Sequence, residues 1–224
     1  MITIYNRLGW CDAEKLAAAI RRLGHEAAAV TNGEHPEAKM VSWGFSNPRA
    51  SLNPRIIGNK LIELKTLRRA GVPAPRTSQE RMVGWIPRSA HHRSGDDLAE
   101  EPTAPDYWVE PVSTDVEFRV HIFRDLSIRV GMKLPHRPDH HPWIRSVDLG
   151  WIVSYCTVAQ AYITEEVRQA ARDAVKALEY DFGAVDVAVD QTGKPIVWEV
   201  NTAPGLLNGK TADAYARHIV RVLG

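Results

Sequence analysis

Disulfides, membrane spans and a charge excess of either sign are all missing from this chain. Cys11 and Cys156 are its only cysteines, too few for a disulfide framework, and no secretory apolar segment follows Met1. The expected setting is the reducing cytoplasm, with both thiols packed rather than bridged. The longest uncharged stretch, Trp151 to Thr164, is short and interrupted by Ser, Thr, Gln and Tyr, so no membrane contact is expected. Lys and Arg number 28 against 27 Asp and Glu, a net charge of +1, which offers no basic surface for nucleic acid. Repeats and low-complexity tracts are absent too. What remains is ordinary for a globular protein: 224 residues, 44% hydrophobic and 25% charged, enough for one or two domains with a sizeable core.

Strands and helices are interleaved along the chain. ITIY (2–5), HEAAAV and MVSWGF read as strands, and Asp12 to Leu23 as a helix with Leu16, Ile20 and Leu23 on one stripe, stopped by Gly24. Residues 1–55 form a short α/β unit on this reading, with the Pro/Asn/Ser-rich SNPRASLNPR as its boundary. A second helix, Asn59 to Ala70, carries Leu61, Leu64 and Leu67 and closes at Gly71 and Pro73. Short strands are expected around Met82–Arg88 and in DYWVEPV, on either side of a polar loop. Glu117–Ile122 and Ser127–Leu134 alternate as a hairpin, Glu165–Leu178 is an amphipathic helix, and a last helix lies around Asp213–Val222.

The segment VDVAVDQTGKPIVWEVNTAPGL raises a chemical question. Val185, Val187 and Val189 alternate with Asp186, and Ile196, Trp198 and Val200 with Val197, Glu199 and Asn201. If Thr192-Gly193 is a two-residue turn, Asp186 faces Glu199 with Cβ atoms ~5 Å apart. Opposed carboxylates destabilise a sheet unless positive charge sits between them. With the Asn201 carboxamide they make a set of hard oxygen ligands suited to Mg²⁺ or Mn²⁺; the bland alternative is a wet sheet face. On the hairpin, Glu117, Arg119, His121, Arg129 and Lys133 share the polar faces, and a turn centred on Asp125 sets Glu117 against Lys133. Here a phosphate site competes with a solvent-facing ion pair.

Asp186, Glu199 and Asn201, at their spacing in WEVNTAPGL, resemble the metal-binding end of the ATP-grasp superfamily, as found in D-alanine–D-alanine ligases and ribosomal-protein glutamate ligases. VEPVSTDVEF, with Glu110 followed seven residues later by Glu117, is similar to the family's adenine hinge and ribose position, and NKLIELKTLRRAGVPAP to its entry helix, with Lys60 at a nucleotide-contacting position. The resemblance covers about residues 59 to 210. It implies an α+β ATP-grasp fold, with ATP between two α+β subdomains (56–112 as a lid, 113–224 as the metal-binding part) behind the short N-terminal unit. In the phosphate loop WIPRSAHHRSGDDL, Arg88 stands for the usual lysine, His91 to Gly95 for the loop itself and His92 for a phosphate contact, although the family's further glycines are missing.

The implied activity is an ATP- and Mg²⁺-dependent carboxylate–amine ligase that works through an acyl phosphate, with small-molecule or peptide substrates. Asp186, Glu199 and Asn201 would hold two Mg²⁺ ions, with Mn²⁺ able to substitute. Lys60, Arg88, His92, Glu110, Val112, Glu117 and Lys133 would bind ATP, and Arg119 and Lys133 would act on the transferred phosphoryl group. His121 reads as support. One departure stands out: D-alanine–D-alanine ligases carry Arg two residues before the metal Asp, where this chain has Ala184, which argues against dipeptide formation on a D-alanine scaffold. A phosphotransferase and a non-catalytic ATP-binding module stay open as alternatives. SWGFSN and Asn6-Arg7 are possible substrate contacts or plain loop ends. His136, Asp139, His140 and His141 sit in a Pro-rich loop without metal-ligand spacing and read as a solvated or substrate-facing loop. FRDL followed by DFG lacks the kinase Asn, and GLLNGKT is one residue short of a P-loop, so neither motif is retained.

Overall fold

The computed structural model describes residues 1–33, 39–91, 104–141, 144–206 and 209–224. Strands β1 (Ile2–Tyr5), β2 (Ala27–Val30) and β3 (Lys39–Ser42) form a parallel sheet in the order β2-β1-β3. Helix α1 (Cys11–Arg22) supplies the crossover and buries Ala13, Leu16, Ala17, Ala19 and Ile20. Both thiols are free, but Cys11 opens α1 exposed to solvent rather than packed, which corrects the sequence expectation.

Helix α2 (Lys60–Arg69) starts where Asn59 caps it, the Asn59 side chain accepting the Ile62 N–H at 3.0 Å. A small antiparallel sheet follows, β4 (Thr77–Ser78), β5 (Ile86–Arg88) and β6 (Tyr107–Val109) in the order β4-β6-β5. The strand expected over 82–88 shrinks to its last three residues, because Val83-Gly84 makes a turn with Gly84 at φ 77°.

The central sheet is antiparallel: β7 (Thr114–Phe123), β8 (Leu126–Pro135), β9 (Trp151–Ser154), β10 (Phe182–Asp190) and β11 (Pro195–Asn201), in the order β11-β10-β7-β8-β9. One face is apolar throughout. It carries Phe118, Val120, Ile122, Val130, Val185 and Val187 and packs on α2 and α4 (Glu165–Ala177). The other face changes character along its length. It begins apolar at Phe123 and Phe182, passes His121 and Ala184, and ends charged at Arg119 and Asp186. Helix α5 (Gly209–Leu223) covers only the apolar part, through Tyr215, Ala216 and Ile219, together with α1 and the N-terminal sheet. The charged part is left open as a cavity floor.

Two elements escape sequence patterning. The uncharged stretch 151–164 holds β9 and the short helix α3 (Thr157–Tyr162). An edge strand of four residues and a helix of six are too brief for periodicity to register. The expected boundary around residue 50 is a clip rather than a slack linker. Asn53 adopts φ 52° and is wholly buried. Its carboxamide accepts the Asp181 N–H at 2.7 Å and donates to the Phe182 carbonyl at 3.0 Å, while its own N–H donates to Asp181 Oδ2 at 2.7 Å.

Candidate active site

Asp186 does face Glu199 across β10 and β11, and Ala184 faces Asn201. The route to this register differs from the expected turn. Asp190 Oδ1 accepts from the backbone N–H groups of Thr192 and Lys194 and from the Thr192 hydroxyl. Gly193 sits at φ 83°, which makes the loop one residue longer than a Thr-Gly turn. Val189 therefore pairs with Pro195, Ala188 with Ile196 and Val187 with Val197, and an irregularity at Trp198 restores the Asp186–Glu199 pair. That irregularity moves Val197 from the expected polar face into the core. The outer edge of β11 is tied to α2 and the turn after it: Val197 N–H donates to the Pro73 carbonyl at 2.7 Å and Val200 N–H to Glu63 Oε1 at 2.7 Å.

The cations missing beside Asp186 and Glu199 within the segment arrive from other elements. Arg119, opposite Asp186 on β7, forks onto it with Nε–Oδ1 and Nη2–Oδ2 both 2.8 Å. Lys133 on β8 reaches Asp186 Oδ2 at 2.7 Å and also pairs with Glu117, as the hairpin register anticipated. Lys60, at the first turn of α2, lies 3.1 Å from Glu199 Oε2 and 3.6 Å from Glu63 Oε2. The Asn201 carboxamide oxygen accepts the Ala203 N–H at 2.8 Å, which fixes its orientation at the strand end.

Shared cations decide the ionisation of these groups. Burial alone would raise Asp186, but Arg119 and Lys133 outweigh it and hold the carboxyl far below its ordinary value. Glu117 shares Lys133 with Asp186 and has no second ion-pair partner among the described residues, so burial wins and its pKa rises. Burial likewise raises Glu63, against the pull of Lys60. Glu199 is lowered chiefly by Lys60, whose own pKa is raised because Glu199 and Glu63 outweigh its burial.

Beside the charged cluster lies a neutral one. His121 is fully buried, with Nε2 2.8 Å from the Tyr155 hydroxyl and Nδ1 3.1 Å from that of Tyr215. Each hydroxyl can donate or accept, so one neutral tautomer satisfies both contacts. Burial, reinforced by Arg119 and Arg129, drops the imidazole pKa to about 3. His121 is support for the sheet, as its pattern suggested.

The charged cluster opens on one cavity of about 1020 Å³, at the large end for small-molecule sites. Lys60, Arg88, Glu110, Val112, Glu117, Arg119, Lys133, Asp186, Glu199 and Asn201 line it, so ten of the residues singled out from sequence converge. His92 lies outside the described residues. The Glu110 carboxylate is taken by Arg76 at 2.7 Å, which lowers its pKa, leaving its backbone and Val112 to form the cavity wall.

Sequence reasoning missed Glu63 and the two tyrosines. Glu63 could have been found, because it follows Lys60 by one helical turn and precedes the core residue Leu67 by another. Asn6, by contrast, is committed to structure, donating to the Trp43 carbonyl at 2.8 Å and accepting the Trp10 N–H at 2.9 Å. The histidine loop borders the cavity: the His140 ring stands edge-on to Trp151, and His141, whose Nδ1 accepts the Ile144 N–H at 2.9 Å, is among the lining residues.

No protein-family model matches the chain, and no curated protein matches its sequence. Solved structures do match in fold. The ATP-grasp ligase PsnB, complexed with a minimal precursor, aligns with a TM-score of 0.71 at 14% identity, covering 98% of each chain. D-alanine–D-alanine ligase from Bacillus anthracis, complexed with ATP, gives 0.64 at 15% identity over 99% of this chain and 95% of that one. The macrocyclase MdnC from Microcystis aeruginosa MRC, bound to its precursor peptide MdnA, gives 0.61 at 11% identity over 99% and 100%. The architecture is the α+β ATP-grasp fold.

Proposed function

We propose that the chain is an ATP- and Mg²⁺-dependent ligase that joins a carboxylate to an amine. The observation that carries this reading is the convergence of Asp186, Glu199 and Asn201 with Lys60, Arg119 and Lys133 in a single cavity. The donor set fits Mg²⁺, since every candidate ligand atom is a hard oxygen and carboxylate oxygens keep lone pairs beyond those facing the cations. Asp186, Glu199 and Asn201 would hold two such ions, whose charge offsets that of the triphosphate. Lys60, Arg88 and Lys133 would take phosphate oxygens, exchanging a carboxylate partner for a phosphate one where they now have such a partner. Glu117 would accept from ribose hydroxyls, with adenine against the backbone of Glu110 to Val112. Residues 1–55 would shape the acceptor side, 56–112 close over the nucleotide and 113–224 carry the metal ligands.

The chemistry follows from that placement. An oxygen of the substrate carboxylate attacks the γ-phosphorus, the bond to the bridging oxygen breaks and ADP leaves. Arg119 stands where charge develops on the transferred group and stabilises it without moving a proton. The amine nitrogen then attacks the acyl carbon and phosphate departs, taking the P–O oxygens with it, while the amine proton passes to solvent. No side chain needs to act as a nucleophile. PsnB, D-alanine–D-alanine ligase and MdnC are called ligases or a macrocyclase, and their complexes with ATP or precursor peptides support this assignment by likeness of fold.

Phosphate release from ATP and Mg²⁺ should be followed across amino acids and short peptides, with mass spectrometry of the products. A condensed product formed with ADP, and lost in Glu199→Ala, is expected. Phosphorylated product that accumulates without any amine would instead assign a phosphotransferase.

A further inference from the structure

Of the carboxylates in the charged cluster, Glu63 alone has no part in the chemistry proposed above. It is 2% exposed and lies behind the cavity wall, which Lys60 and Glu199 line and it does not. Two elements hold it there. It stands one turn after Lys60 on α2, and its Oε1 accepts the Val200 N–H at 2.7 Å. That N–H points away from the sheet at its β11 edge, and a carboxylate oxygen satisfies it. The other oxygen, Oε2, is 3.6 Å from Lys60 Nζ.

Lys60 therefore sits between two carboxylates of unlike access. Glu199, at 3.1 Å, has a side chain 31% exposed on the ligand side, whereas that of Glu63 is 3% exposed. With Glu199 as its only counter-charge, Lys60 would be left unpaired in a largely buried place whenever a cation took Glu199. The second carboxylate removes that conflict. A good ammonium–carboxylate contact closes to about 2.8 Å, so the Lys60–Glu63 separation leaves room to tighten. Lys133 has the same arrangement at Asp186, with Glu117 as its second acid. Glu117, however, lines the cavity and is open to a ligand, and Glu63 is not.

We propose that Glu63 is a positioning residue for the metal site: it takes over Lys60 when a divalent cation claims Glu199, so that cation binding does not strand the lysine. The inference rests on the reading of Glu199 as a metal ligand and adds to it the group that holds the displaced lysine. No covalent bond changes in this exchange and no proton moves. With nucleotide bound, the ammonium keeps Glu63 behind it and a phosphate oxygen in front.

The test uses the full chain without nucleotide and Mn²⁺ as the probe, with free and bound ion separated by electron paramagnetic resonance. Glu63→Gln retains the tie to β11 through its amide oxygen and loses the charge. It should weaken Mn²⁺ binding about tenfold, the size of one hydrogen bond to a charged group. In a Lys60→Met background the same change should cost less than about twofold, because no lysine is left to hold. An equal loss in both backgrounds would mean that Glu63 acts on the ion by its charge alone, and no loss in either would make it a scaffold residue; both results overturn the handover. Should Glu63→Gln fail to fold, the wild type answers by itself. Its Lys60 ammonium resonance, assigned by its disappearance in Lys60→Met, should stay protected from water exchange as Mg²⁺ is added, and loss of that protection would overturn the proposal. A wild type that takes up neither Mn²⁺ nor Mg–ATP would sink the metal reading itself and the handover with it, whereas Mn²⁺ binding indifferent to Glu63→Gln sinks the handover alone.

Discussion

In the cavity Asp186 is met by Arg119 and Lys133 and Glu199 by Lys60, whereas beside it His121 is met by the hydroxyls of Tyr155 and Tyr215. The two lie on one sheet face, so the difference is in charge bookkeeping and not in depth or scaffold. A cluster with both signs can admit Mg²⁺ and phosphate together, each ion finding its complement as the internal pairs reopen. A neutral cluster offers an ion no complement and serves the sheet instead. Buried ion pairs are poor sources of net stability, since desolvation consumes most of the attraction. Their retention in the cavity thus speaks for use rather than for folding.

The sharpest way to break the comparison is to remove the acid that both cations share. Asp186→Asn leaves Arg119 without its ion-pair partner and Lys133 with Glu117 alone, so it should cost about 3–5 kcal/mol of stability by urea unfolding. Amine-dependent ADP release should fall by about a thousandfold or more. A variant that kept its turnover would remove Asp186 from the proposed site, whatever its stability.

The neutral neighbour of the cluster gives the next effect. The folded chain holds His121 uncharged down to about pH 3, whereas an unfolded chain takes up the proton near 6.5. The unfolded state therefore binds more protons between those values, and the His121 contribution to stability, complete above 6.5, is lost as pH falls toward 3. The full shift corresponds to about 4–5 kcal/mol. Glu63 and Glu117, whose pKa values are raised, act in the opposite sense over the acid part of that window, so the informative quantity is a difference. Urea unfolding of wild type and His121→Gln at pH 7 and pH 4.5 should show the wild type losing more. Parallel losses would mean that His121 is charged in the fold.

Much of the Asp186–Asn201 hairpin was legible because it is local. Asp186, Glu199 and Asn201 lie on adjacent strands of one hairpin, and alternation with valine fixes their face. Two errors cancelled there: the Asp190 loop added a residue, and the irregularity at Trp198 took the offset back. The cations could be identified as polar-face residues, but not that Arg119 would stand opposite Asp186, since the β7–β10 pairing joins strands far apart in sequence. The Asn53 clip, Tyr155 and Tyr215 depend in the same way on contacts across the chain. Glu63 lies between these cases. Glu63→Gln keeps an acceptor for the Val200 N–H but removes the charge beside Lys60. The expected result is a KM for ATP raised several-fold with little change in kcat; a fall in kcat alone would give Glu63 a different role.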